Sequence, residues 1–227
     1  MFKPKAIYFE KEIINYPLGQ HLMKQYKETP KIEIENHNNI EEMRKKQNSE
    51  FANTENGFLT LPTKFDMVDD ILPLKHNGRI VIRMSVNPAE IINKVEFGTS
   101  RLQGRIEAIN KLAEAGYKIG ILIAPVILVE NWQQLYSELI QTLSIELSEK
   151  ARRTAFFEII FMTYSYVHTK INEEAFPNAI NLYDKEIMTG RGNGKYGYKE
   201  KNRREAEIFL REQMHKYFPN NKIEYVV

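Results

Sequence analysis

A chain of 227 residues, 42% apolar and 27% charged, can bury one sizeable core and is too apolar for wholesale disorder. Its formal net charge of +2 leaves a nearly balanced surface, so nucleic-acid binding would need a local basic patch. It contains no cysteine, which excludes disulfides, a thiol nucleophile, zinc–thiolate sites and any iron–sulfur cluster ligated by this chain's own cysteines.

Residues 1–48 read as a small β-α-β unit. Ala6-Ile7-Tyr8-Phe9 is a short strand candidate, Leu18, Leu22, Met23 and Tyr26 share one helical stripe, and Lys31 to Glu35 alternates like a strand. The opening Met1-Phe2-Lys3-Pro4-Lys5 leads into this unit without a signal-type apolar stretch. No apolar run approaches the roughly 20 residues needed to span a bilayer, so the expectation is a cytoplasmic protein with no membrane partner. From Asn36 to Thr54 the chain is polar and weakly periodic, the best candidate for a linker.

Residues 49–227 form the second predicted unit, with a strand–helix rhythm. Phe58 to Leu61 is a strand, followed by a helix near Met67 to Leu72 and a strand from Arg79 to Val86. Pro88 suits the next helix start, where its missing N–H costs nothing. Thr99 or Ser100 can cap a long helix carrying Leu102, Ile106, Ile109 and Ala113 on one face, and Gly116 suits its stop. Lys118 to Pro125 is an apolar strand of the kind buried on both faces, hence parallel. A helix bearing Trp132, Leu135, Leu139 and Leu143 follows, then a strand from Phe156 to Met162, a helix from Glu205 to Phe218 and a strand from Lys222 to Val226. Alternating helices and apolar strands indicate an α/β fold with a parallel sheet.

Ligands of such sheets sit beyond the carboxyl ends of the strands. Thr63 and Lys64, Ser85 and Asn87, and Ala124-Pro125 occupy three such ends. Ser85 and Asn87 can equally cap the next helix, with Lys64 in solvent. Glu96 to Arg105 gathers an acid, a tight turn and two bases at a helix entrance. It is read as an internal ion pair of Glu96 with Arg101 or Arg105 in preference to an anion site. Thr189 to Lys199 mixes glycines, bases and tyrosines without nucleotide-loop spacing; it suits phosphate contact and base stacking, or an exposed hairpin. The histidines at 21, 37, 76, 168 and 215 lack metal-helix spacing, so no metal is expected. No catalytic constellation can be singled out.

The ordered series of segments resembles the spore photoproduct lyases, particularly their clostridial branch. It runs from Pro4-Lys5-Ala6-Ile7-Tyr8-Phe9-Glu10 and Tyr16-Pro17-Leu18-Gly19 through Thr63-Lys64-Phe65, His76-Asn77-Gly78-Arg79, Arg83-Met84-Ser85-Val86-Asn87 and Glu96-Phe97-Gly98-Thr99-Ser100. It continues through Ala115-Gly116-Tyr117-Lys118, Ala124-Pro125, Trp132, Thr189-Gly190-Arg191 and Gly194-Lys195-Tyr196. The resemblance implies an incomplete (β/α) radical-S-adenosylmethionine partial barrel. That family cleaves S-adenosylmethionine at a [4Fe-4S] cluster held by a Cys-x3-Cys-x2-Cys loop, and the resulting radical repairs the ultraviolet thymine dimer of spore DNA. It implies cofactor contacts at Lys64, Ser85, Asn87 and Ala124, with poor S-adenosylmethionine affinity expected because their partners on the absent strands are gone, and DNA contacts at Arg191, Lys195 and Tyr196, with Gly192 where the family has an aromatic residue.

The departures define further expectations. The first three barrel strands, the cluster loop and the hydrogen-donor cysteine have no counterpart, so this chain alone is expected to hold no cluster and to be inactive. Two alternatives are a non-catalytic DNA-binding remnant and half of a split enzyme with a cluster-bearing partner chain. Loss of three strands also predicts marginal stability or self-association through the uncovered strand edge.

Overall fold

The computed structural model describes residues 59–167, 169–170 and 180–227. The expected β-α-β unit of residues 1–48 and its linker lie outside the described residues. Five parallel strands form the main sheet: β1 (Leu59–Thr63), β2 (Ile80–Val86), β3 (Lys118–Val126), β4 (Phe156–Phe161) and, last in sequence, β8 (Ile223–Val226). Their spatial order is β1-β2-β3-β4-β8, every pairing parallel. Between β4 and β8 the chain forms a small antiparallel sheet of β5 (Tyr164–Ser165), β6 (Met188–Gly192) and β7 (Lys195–Tyr198), in the order β5-β7-β6.

Among the described residues, five fully described α-helices punctuate the strands: α1 (Ala89–Val95), α2 (Leu102–Glu114), α3 (Trp132–Glu146), α4 (Glu149–Thr154) and α5 (Glu200–Tyr217). The even residues of β2, Ile80, Ile82, Met84 and Val86, are buried in one core with Ile106, Ile109 and Leu112 of α2. Such side chains each contribute about 1.5–3 kcal/mol on full burial. Leu135, Leu139 and Leu143 of α3 join the same core, as do Ala206, Leu210 and Met214 of α5. Trp132 is only half-buried and meets Phe209 of α5 edge-on at 5.2 Å.

The predicted stop at Gly116 is a helix-ending double hydrogen bond. Gly116, at φ +86°, donates its N–H to the Ala113 carbonyl, and Tyr117 donates to that of Leu112. The helix predicted near Met67–Leu72 is only a 3₁₀ turn, Asp69–Ile71. Pro73 has no N–H with which to continue the helix, so the turn stops there although Leu72 itself keeps helical dihedrals. The last helix starts at Glu200, five residues before the predicted Glu205, because its first turn is largely exposed and shows no apolar period. Helix α4 was not foreseen: six residues that bury only Ala151 leave no stripe to read. Its cap is Ser148, whose Oγ accepts from the Ala151 N–H at 3.2 Å.

On the sheet face away from this core, Gly120 of β3 pairs with Arg83 of β2 and with Phe156 of β4. A Cβ at Gly120 would stand 2.6 Å from the Phe156 ring and 3.1 Å from Arg83 Cγ. Gly120→Ala is therefore expected to lower unfolding stability by about 1–3 kcal/mol, read as a reduced urea midpoint.

Candidate functional site

Parallel pairing brings the carboxyl ends of β1, β2 and β3 to one edge of the sheet. The register pairs Thr63 with Met84 and Ser85 with Leu122, so Lys64, Ser85 and Ala124 leave the sheet side by side. With the even residues of β2 packed in the core, strand alternation turns Val81, Arg83 and Ser85 to the other face, the lumen of the partial barrel.

At this edge Lys64 Nζ donates to Ser85 Oγ at 3.0 Å, to Glu96 Oε1 at 2.6 Å and to the Ala124 carbonyl at 3.1 Å. Ser85 Oγ spends its own proton on the Ala124 carbonyl at 2.7 Å. Asn87 Nδ2 donates to Glu96 Oε1 at 2.7 Å and to the Pro125 carbonyl at 3.0 Å, while its Oδ1 accepts from Tyr136 OH at 3.1 Å. The four expected cofactor contacts, Lys64, Ser85, Asn87 and Ala124, thus meet in one hydrogen-bonded cluster. Neither Ser85 nor Asn87 caps α1, whose N-cap is Pro88 and has no side-chain bond. Lys64 is not simply solvated either.

Glu96 is the hub. Its Oε2 accepts from Arg105 Nη2 at 2.7 Å, and the Arg105 side chain is 0% exposed. Arg105 also donates Nε to the Ser100 carbonyl, Nη1 to the Ser85 carbonyl and Nη2 to Thr99 Oγ1. The ion pair expected within 96–105 therefore exists, with Arg105 as partner, and it also grips the site. Thr99 and Ser100 do not cap α2: the N-cap is Arg101, without a side-chain bond. Ser100 instead joins the loops, donating its N–H to the Lys64 carbonyl and its Oγ to Asp66 Oδ1. Sequence reasoning treated Glu96 and Arg105 apart from the strand ends. The signal that could have joined them is an acid whose only nearby home, beside a buried strand end, demands cationic partners.

Burial sets the electrostatics. Desolvation lowers the Lys64 pKa below its ordinary value, and Arg105 adds to this, against the opposing pull of Glu96. Burial also works against the Glu96 carboxylate, but Lys64, Asn87 and Arg105 together outweigh it and hold its pKa below the usual value. Tyr136, wholly buried, is driven well above the phenol range by desolvation.

A second polar network lies on the lumen face. Arg83 pairs with Glu158 of β4, donating Nε to Oε2 at 3.1 Å with a closer Nη2 contact, and Tyr225 OH of β8 donates to the same Oε2 at 2.7 Å. Among the described residues no buried side-chain nitrogen or oxygen lacks a partner. Nor do three His, Asp or Glu side chains gather there in a way that could hold a metal ion.

The residues singled out in the tail lie on the β6–β7 hairpin, whose turn residues Asn193 and Gly194 both take positive φ, as a two-residue hairpin turn requires. Arg191 and Lys195 are exposed. Arg191 Nη2 donates to the Tyr198 carbonyl at 2.9 Å, so its guanidinium lies along the hairpin. The Tyr196 ring stands 5.0 Å from Tyr183 and 6.0 Å from Tyr164, one side of an aromatic cluster. Hairpin and strand-end cluster are separate features, with no hydrogen bond between their named residues. Among the described residues no helix is long and apolar enough to cross a membrane.

The spore photoproduct lyase family profile matches residues 38–227. Curated spore photoproduct lyases from Bacillus subtilis (strain 168) and Geobacillus sp. (strain Y412MC61) are 37% and 35% identical over 183 and 176 residues, covering 77% and 76% of this chain. One from Clostridium acetobutylicum is 30% identical over 181 residues, so the match is to the family as a whole. The chain spans about half the length of these relatives, 52–53%. A solved mutant spore photoproduct lyase with bound AdoMet and dinucleoside spore photoproduct superposes with a TM-score of 0.76 at 31% identity, covering 82% of this chain and 56% of that one. The five-stranded parallel sheet with its helices matches that structure, and the partial coverage fits an incomplete barrel.

A carboxylate with a lowered folded pKa adds stability that is complete above its ordinary value of 4.5 and is lost as pH falls through the lower folded value. The urea midpoint is therefore expected to fall below pH 4.5, and less steeply in Glu96→Gln than in the native chain. Equal slopes would contradict the lowered Glu96 pKa.

Proposed function

Because this chain belongs to the spore photoproduct lyase family, we propose that it is a spore photoproduct lyase-like DNA-repair protein whose strand-end cluster is a site for S-adenosylmethionine. The observation that carries the reading is the Lys64 ammonium bridging Ser85 Oγ and the Ala124 carbonyl across three strand ends. An ammonium, a hydroxyl, an amide and a backbone carbonyl suit a ligand with a carboxylate, an amino group and ribose hydroxyls. Lys64 and Ser85 would hold the anionic end, the Ala124 backbone would meet a polar edge, and Asn87 would stand behind them. S-adenosylmethionine, once bound, is the radical source in the family; what this chain contributes is binding and orientation.

The [4Fe-4S] cluster does not fit these residues. Such a cluster needs thiolates, and none of the 227 residues is a cysteine. We infer that these residues alone neither assemble a cluster nor generate the radical. Anaerobic reconstitution with iron and sulfide is expected to give no cluster absorbance and no 5′-deoxyadenosine; either signal would refute this. Binding should survive without chemistry. By equilibrium dialysis S-adenosylmethionine should bind the native chain, and Lys64→Ala should weaken it at least tenfold, about 1.4 kcal/mol, through loss of a charge-assisted hydrogen bond.

Arg191, Lys195 and Tyr196 are proposed DNA contacts, with the two exposed bases meeting phosphate and the Tyr196 cluster shaping the hairpin. In gel shifts with damaged and intact duplex, Arg191→Ala and Lys195→Ala should each weaken binding and reduce the salt slope by about one. Absence of binding by the native chain would sink both this role and the alternative of a non-catalytic DNA-binding remnant.

One observation favours a second reading, half of a split enzyme. Among the described residues β1 is the outer strand of the main sheet, where a cluster-bearing partner or a second copy could add strands. Light scattering on the purified protein tests self-association, and cluster formation on mixing with a chain carrying Cys-x3-Cys-x2-Cys tests the partner.

A further inference from the structure

We propose that Glu96 is a positioning residue of the strand-end site, fixing the Lys64 ammonium at the lumen mouth while Arg105 and Asn87 fix Glu96 from behind. This rests on reading that site as the one for S-adenosylmethionine.

The order of burial carries the argument. Side-chain exposure rises from 0% at Arg105 through 5% at Glu96 to 31% at Lys64, so the three charges run from core to opening. A lysine stem is flexible, and freezing its rotamers costs about 2 kcal/mol. Here that ordering is already in place before a ligand arrives, as preorganised binding requires. Glu96 cannot follow Lys64 outward, because Arg105 Nη2 and Asn87 Nδ2 hold it at 2.7 Å each. Arg105 is anchored in turn to the Ser85 and Ser100 carbonyls, and so to the β2 end and the loop before α2.

Donor and charge counts say what Glu96 leaves available. The ammonium has three protons, placed on Glu96, Ser85 Oγ and the Ala124 carbonyl. The last two acceptors are neutral and can yield to a carboxylate, whereas the bond to Glu96 is charged at both ends. Two cations, Lys64 and Arg105, share one carboxylate, which leaves one positive charge uncompensated within the cluster. That charge sits at the exposed end, on Lys64, facing the place where an anionic ligand group would lie.

The opposite reading makes Glu96 an internal substitute for the ligand's carboxylate, displaced on binding. Its burial and its two further anchors argue against that, and the two readings predict opposite effects of neutralising it.

The test uses the full chain labelled with [13C]lysine. The Lys64 Cε signal is followed against pH in the native protein, Glu96→Gln and Glu96→Asp, beside equilibrium dialysis with S-adenosylmethionine. The groups facing Lys64 are Glu96 and Arg105, and Glu96 raises its pKa. In Glu96→Gln the Lys64 titration should move further below 10.5 and S-adenosylmethionine affinity should fall about tenfold or more at pH 7. Glu96→Asp, which keeps the charge on a shorter stem, should lie between, and it carries the test if the glutamine variant does not fold. An unchanged Lys64 titration, or tighter binding in a folded variant, overturns the proposal. If the native chain binds no S-adenosylmethionine, the cofactor reading fails and the titration alone decides the role of Glu96.

Discussion

One buried carboxylate ties the described part of this protein together. Glu96 sits among an ammonium, a guanidinium and a carboxamide, and through them touches the ends of β1 and β2 and the entrance of α2. Removing Glu96 would leave the fully buried Arg105 guanidinium without its carboxylate, a penalty of about 3–5 kcal/mol for a buried pair. The same bonds that satisfy Glu96 hold Lys64 beside Ser85 at the strand ends.

The relation to the family is clearest in what is shared and what is missing. The shared part is the five-stranded parallel sheet with its helices, over roughly half the length of the relatives. The missing chemistry is sulfur. A radical enzyme that works through a cluster divides its labour between that cluster, which supplies electrons, and a protein cradle that orients the reacting molecules. This chain, with no cysteine in its sequence, offers no thiolate for such a cluster.

The lumen face shows how a partial barrel remains internally satisfied. Arg83, Glu158 and Tyr225 come from β2, β4 and β8 and close a hydrogen-bonded bridge across β3. The bridge needs Gly120 beneath it, since any side chain there would meet Arg83 and Phe156. It lies one residue pair below Ser85 on β2, so the lumen has a polar floor under the strand-end cluster.

The sequence by itself determined the parallel α/β character, because strands such as Lys118 to Val126 are too apolar to face water on either side. It also determined the helix stop at Gly116, the family, and the absence of thiolate ligands, since each is a property of residue type or local order. It misjudged elements whose signal is weak or interrupted: the turn cut short by Pro73, the exposed first turn of α5 and the brief α4. Local propensity also assigned Ser85, Asn87, Thr99 and Ser100 to helix caps, the commonest use of such residues. Only the tertiary structure decided otherwise, because parallel register carries Lys64, Ser85, Glu96 and Ala124, up to 60 residues apart, into hydrogen-bonding distance. A side chain chooses between a local cap and a distant partner by burial, and burial exists only once the sheet has formed.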